Sequence, residues 1–190
     1  HTSMIYASIL SGYEIVADAL GNEQIDKFLK SVLIDEVLPT LEAKGAKKQE
    51  LLDYAQAVVE RFKNPFLNHR MIDIALNSAS KLLVRIMPTF ADSYRQNGIL
   101  PEKMTEALAA FFWFYRGQCV AGKFQGQAEG LSYEFADDAA AMAAIASCDT
   151  SSPQAYAEFI LKCPVWQGAF DEYSELPQAI TSLFEQFAKN

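Results

Sequence analysis

The sequence predicts an all-α domain over residues 1–190, and three observations carry that prediction. Apolar residues recur at three- and four-residue spacing in one window after another, as in helices that each bury one stripe. Start and stop residues stand at the ends of those windows: Asn22, Ser152-Pro153 and Leu100-Pro101-Glu102 at starts, Gly12, Pro39, Asn64-Pro65 and Pro88 at stops. No stretch reads as a convincing strand, and no repeat or low-complexity linker divides the chain. With 51% hydrophobic and 21% charged residues, 190 residues suffice to bury a sizeable core in one domain.

Taken in order, residues 1–11 read as a helix that Gly12 closes. His1 opens it with neither cap nor leader, which points to a piece of a longer polypeptide. A short segment, 14–20, leads to Asn22, the cap of a helix burying Ile25, Phe28, Leu29, Val32, Leu33 and Val37 until Pro39 closes it. The basic stretch 44–48 is a loop. Leu51, Leu52, Ala55, Val58, Val59 and Phe62 line the next helix, which ends at Asn64-Pro65.

From about 66 to 86 the pattern gives one helix of roughly five turns. Met71, Ile72, Ala75, Leu76, Ala79, Leu82, Leu83 and Ile86 share its core-facing side, whereas His69, Arg70, Asp73, Asn77, Ser80 and Lys81 share a polar side. Arg85 follows one turn after Lys81, at the edge of that polar side. Pro88 ends the helix, and 94–98 is a polar connection. A helix opening at Leu100-Pro101-Glu102 then runs into Phe111-Phe112-Trp113-Phe114-Tyr115, apolar all round as for a central element. The glycine-rich segment 117–133 reads as irregular. Helices follow over 136–146, from Ser152-Pro153, and over 178–188, with Asp137-Asp138 complementing a helix N-terminus.

Several chemistries are excluded. A net charge of −8 repels nucleic acid and anionic membrane surfaces. The longest apolar run, 107–115, is too short to cross a bilayer. Gly117-x4-Gly122-Lys123 approaches a phosphate-binding loop, but Phe124 stands where that loop needs Ser or Thr, and a helix precedes it instead of a strand. Two histidines without an H-E-x-x-H pattern or paired cysteines make no metal site. The three cysteines, Cys119, Cys148 and Cys163, are an odd, widely spaced set that suits a reducing cytoplasm. Neither a serine elbow nor a glycine-rich dinucleotide turn is present.

The order Arg61-Phe62, Asn64-Pro65, His69, Ser78-Ala79-Ser80-Lys81, Arg85, Pro88 resembles the C-terminal domain of the mannitol dehydrogenase family, the polyol-specific long-chain dehydrogenases. The words NPFLNH, IALNSASK, VRIMP, NGILP and EALAAFFWFYRG, and His1-Thr2 at the start, add to the resemblance, which covers residues 1–117 well and the remainder loosely. It implies a helical substrate-side domain of the 6-phosphogluconate dehydrogenase C-terminal type, joined to an N-terminal Rossmann domain that binds NAD(P). It further implies catalysis without a metal, by a Lys and an Asn that would precede His1, with His1 as the catalytic residue remaining in this chain. Lys81 matches a lysine of the family's substrate cleft, and His69 and Arg85 match its sugar-acid reductases. Asp73 stands where the mannitol enzymes carry an Arg, a departure that disfavours a mannitol-type substrate. The resemblance therefore implies a cytoplasmic NAD-dependent oxidoreductase of a small sugar acid, inactive as this chain alone. Other hexuronate or polyol enzymes of the family stay open, as does a stand-alone helical binding module.

Overall fold

The computed structural model describes residues 1–128 and 130–189. Its centre is the helix α9 (Glu102–Phe114), as the all-round apolar run predicts. From Ala107 through Tyr115 every side chain is buried. The short helix α1 (Ile5–Leu10) packs on one side of α9, where Tyr6 meets Phe111 edge-on at 4.9 Å between ring centres. Helix α12 (Leu176–Phe187) packs on another, with Trp113 and Phe184 5.0 Å apart.

A helix buried on all sides cannot leave its end groups to water, so other elements must meet them. At the N-terminus Pro101 offers no side-chain cap. Glu36 instead accepts the amides of Lys103 and Met104, at 2.6 and 2.7 Å. Burial raises the Glu36 carboxyl above its ordinary value, and the two amide donors oppose that rise. At the C-terminus two tyrosines donate to carbonyls, Tyr156 to Phe112 at 2.6 Å and Tyr133 to Phe114 at 2.7 Å.

Asn22 caps α3 (Glu23–Ser31) as predicted, accepting from the amides of Gln24 and Ile25. Pro39, however, does not close that helix. The chain passes through a π-helical turn, Val32–Val37, and continues as α4 (Leu38–Glu42) with Pro39 in its first turn. Pro88 behaves alike: α7 (Ser78–Lys81) runs through a π turn, Leu82–Ile86, into α8 (Met87–Asn97). The physical reason is common to both. A proline lacks an N–H, and its ring crowds the carbonyl four residues back. Asp35 and Val84 are those carbonyls, and both lie in a π turn whose widened ring moves the carbonyl aside.

The expected single helix over 66–86 is also replaced. Residues 64–70 are non-helical, α6 is only Met71–Ile74, and α7 begins after Asn77 in the left-handed conformation, φ 55°. Met71, Ala75, Ala79 and Leu82 are buried as assigned, and His69, Asp73 and Asn77 are exposed. Leu76, assigned to the core side, is 44% exposed, because the break at 75–77 turns it outward. Between α4 and α6, α5 (Lys48–Phe62) ends where Asn64-Pro65 predicted.

Residues 117–128 and 131–135 are not irregular. They form an antiparallel sheet of β1 (Gly117–Val120), β2 (Lys123–Ala128) and β3 (Leu131–Phe135), in that order. Ala121 and Gly122, both at positive φ (50° and 81°), make the tight β1–β2 turn, whose twist suits a hairpin. Phe124 and Phe135 pair across β2 and β3 and point into the core. Gly126 opposes Tyr133, and a Cβ there would stand 2.0 Å from that ring. The chain then enters α10 (Ala139–Ala146), capped by Asp138, and α11 (Pro153–Leu161), capped by Ser152. No helix is long and apolar enough to cross a membrane among the described residues.

Glu36→Ala should remove both amide acceptors from the start of α9 and cost about 2 kcal/mol of stability, since the acceptor is charged and half-buried. Urea unfolding of the variant beside the parent measures this, and an unchanged midpoint would remove Glu36 from the list of contacts that hold α9.

Candidate functional site

Four side chains singled out in the sequence lie on one face. His1 stands at the start of the chain, where its carbonyl accepts the amides of Met4 and Ile5 and so opens α1. Its imidazole stacks on Phe62, at the end of α5, with ring centres 3.8 Å apart. Nε2 of His1 is buried and has no hydrogen-bond partner among the described residues. His69 approaches the same ring edge-on, at 6.2 Å.

The backbone fixes His69 although its side chain is exposed. Val16 donates to its carbonyl at 3.1 Å, Met71 donates to Glu14 at 2.8 Å, and Ile15 and Arg70 form an isolated antiparallel bridge. That bridge ties the non-helical stretch before α6 to the start of α2 (Val16–Ala19).

Arg85 projects from the π turn with an exposed side chain. The Arg85 guanidinium lies near enough to the backbone nitrogen of His1 for its charge to act there. Lys81 lies one turn before Arg85. Its ammonium donates to the carbonyl of Ile74 at 2.7 Å, closing the C-terminal end of the one-turn helix α6. Burial lowers the pKa of Lys81, Arg85 lowers it further, and Asp137 opposes them. His69, His1, Arg85 and Lys81 thus follow one another along a cationic edge. Asp73 does not join it, since its carboxylate is exposed and turned toward Arg70 at 3.9 Å.

Behind Lys81 lies a buried polar group that sequence reasoning did not find. Tyr6 donates to Ser78 at 2.8 Å, and Ser78 bonds back to the Ala75 carbonyl at 2.5 Å. Tyr115 donates to Oδ2 of Asp137, which also accepts the Ala79 amide at 2.9 Å. The Asp137-Asp138 pair was the available signal, but only Asp138 caps the helix that follows, whereas Asp137 caps α7. Phe62 under His1 was visible only as a core position.

The side chains of His69 and Arg85 are exposed, and those of His1 and Lys81 are partly buried. Cavities of about 250 Å³ beside Tyr13, Arg70 and Tyr133, 450 Å³ beside Cys148 and Cys163, and 480 Å³ between Leu33 and Leu52 are lined by none of these four residues. Chemically, the edge offers guanidinium, ammonium and imidazole donors that suit an anionic, hydroxylated ligand. Among the described residues, no His, Cys, Asp or Glu group of three or more converges as a metal site would require.

Comparison with known proteins gives concordant findings. The family described as the mannitol dehydrogenase C-terminal domain matches residues 1–186. The altronate oxidoreductase of Halalkalibacterium halodurans is 40% identical over 139 residues, 73% of this chain and 27% of that protein. That of Yersinia pestis is 37% identical over 139 residues, 73% of this chain and 26% of its own length. The chain therefore spans about a quarter of the curated relatives it matches. A D-sorbitol dehydrogenase in substrate-free form superposes with a TM-score of 0.78 at 25% identity, over 100% of this chain and 36% of that one. The Pseudomonas fluorescens mannitol 2-dehydrogenase in ternary complex with NAD and D-mannitol gives a TM-score of 0.77 at 19% identity, over 100% of this chain and 36% of that one, a likeness of fold alone.

The break that precedes Lys81 depends on Asn77, the residue type that best tolerates left-handed backbone after glycine. Asn77→Gly should leave the urea midpoint nearly unchanged, whereas Asn77→Val should cost about 1–2 kcal/mol by forcing a β-branched residue into that conformation. Equal losses for the two variants would show that the Asn77 side chain, not its backbone, holds the break.

Proposed function

The chain belongs to the mannitol dehydrogenase family as its C-terminal domain, and we propose that residues 1–190 are the substrate-side domain of an NAD-dependent sugar-acid oxidoreductase that interconverts tagaturonate and altronate. The observation that carries this reading is the pairing of His1 with His69, together with Lys81 and Arg85 set one turn apart on the neighbouring helical run. The family membership and the altronate oxidoreductases among the relatives support it.

A chain of net charge −8 repels a sugar acid unless positive groups are gathered where that acid must sit. Arg85 and Lys81 supply such groups, and a carboxylate gains more from charge-assisted donors than a neutral polyol does. Lys81 gives one hydrogen to Ile74 and keeps others for a ligand. His69 holds hydroxyls of the sugar chain. His1, whose imidazole stacks on Phe62 beside His69, holds the oxygen of the reacting carbon.

This chain provides no cradle for a dinucleotide among its described residues. Its tight glycine turn, Ala121-Gly122, joins two antiparallel strands instead of a strand to a helix. Hydride transfer thus belongs to a cofactor held by a companion Rossmann domain, and the cationic edge faces the cleft where that domain docks. The proton donor and the carbonyl-polarising group, a Lys and an Asn, belong to the segment before His1, and no metal takes part. The unpaired thiols of Cys119, Cys148 and Cys163 suit a cytoplasmic enzyme.

Two outcomes are expected. This chain alone, mixed with tagaturonate and NADH, should leave the absorbance of the reduced cofactor unchanged, whereas the polypeptide with its companion domain should consume it. In that longer polypeptide, Lys81→Ala should lower kcat/KM for the uronate by about 1.5–3 kcal/mol, the range for a hydrogen bond to a charged group. The same substitution should change use of a neutral ketose far less, and equal losses on both would assign Lys81 to the fold or to the shared polyol chain.

A further inference from the structure

Lys81 sits in the first turn of the helical run that continues from α7 through the π turn into α8. That run follows a left-handed residue and has no capping side chain of its own at Asn77. The first amides of a helix have no intrahelical partners, so a group from outside must meet them if the first turn, and with it the ammonium, is to be fixed.

Asp137 does so from 58 residues away. Its carboxylate is fully engaged: Oδ1 accepts the Asp138 amide at 2.7 Å, and Oδ2 accepts both the Ala79 amide and the Tyr115 hydroxyl. Next to it the Ala136 carbonyl accepts the Asn77 amide at 3.4 Å. Residues 136–137 therefore grip the left-handed break and the first turn of α7 together. Tyr115 is buried against Phe111, Phe124 and Phe135, so the grip is anchored in the core at the end of α9. Among the ion pairs of the described residues there is none between Asp137 and Lys81. Its charge still acts on the ammonium through space, opposing burial and Arg85.

We propose that Asp137, held by Tyr115, is the positioning residue for the Lys81 ammonium, fixing the first helical turn that carries it toward the sugar-acid carboxylate. The proposal deepens the function given above and rests on it. It also gives the three-stranded sheet a role, since β3 delivers Asp137 to the start of α7.

A double-mutant cycle in the longer polypeptide tests it, with kcat/KM for the uronate and the melting temperature read for each variant. Asp137→Ala should lower kcat/KM about tenfold or more when Lys81 is present and less than about twofold in the Lys81→Ala background. Its melting temperature should fall equally in both backgrounds. Asp137→Asn, which keeps an acceptor for the Ala79 amide, should restore most of the activity. If Asp137→Ala fails to fold, Asp137→Asn and Tyr115→Phe enter the same cycle, with smaller losses again confined to the Lys81 background. Equal fold-losses with and without Lys81 would overturn the positioning role and leave Asp137 as a structural cap. A Lys81→Ala variant with unchanged kcat/KM would instead remove the role of Lys81 itself, and with it anything for Asp137 to position.

Discussion

The burial of α9 on every side is the constraint on which the rest of the structure depends. Nine consecutive residues from Ala107 to Tyr115 are withdrawn from water, and apolar burial of that extent is the main stabilising term available to such a chain. It also sets a problem, because the polar ends of a buried helix must find partners in other elements. Glu36 at one end, and Tyr156 and Tyr133 at the other, solve it. Each of these residues belongs to a different element, so meeting the ends of α9 fixes the first helical run, the sheet and α11 around it.

The candidate site is a consequence of the same packing. Tyr115, where α9 ends, holds Asp137, and Asp137 holds the turn that bears Lys81. Tyr6 of α1 lies on Phe111 of α9 and donates to Ser78, at the start of that turn. His1 opens α1 and rests on Phe62, so its ring is set by the contact between α1, α5 and the core. The candidate face is the outer surface of an arrangement whose inner surface is aromatic.

Much of this fold was legible because local chemistry and tertiary structure agree. Asn22, Ser152 and Asp138 cap helices that the periodicity also indicates, and the apolar run around Trp113 can lie only in a core. The prolines were misleading because a π turn in front of each removes the clash that makes proline a stop. Leu131, Tyr133 and Phe135 do alternate with Ser132 and Glu134, a strand signal diluted by Gly126 within β2 and Gly130 just before β3. At the site, His69 and Lys81 share a polar side by periodicity, but no local pattern joins either to His1. That adjacency depends on α5 ending at Phe62, under the His1 ring. Asp137 was hidden for the same reason, since its partners lie on elements that only the folded chain brings together.

The central claim is that the His69, His1, Arg85, Lys81 edge receives a sugar acid with its carboxylate on the basic groups. A crystal structure of the longer polypeptide bound to altronate tests it most directly. The account predicts the carboxylate within hydrogen-bonding distance, about 3 Å, of Lys81 Nζ or the Arg85 guanidinium, with the His1 imidazole on a sugar oxygen. Altronate bound instead in the cavity beside Tyr13, Arg70 and Tyr133, with the edge left free, would contradict it.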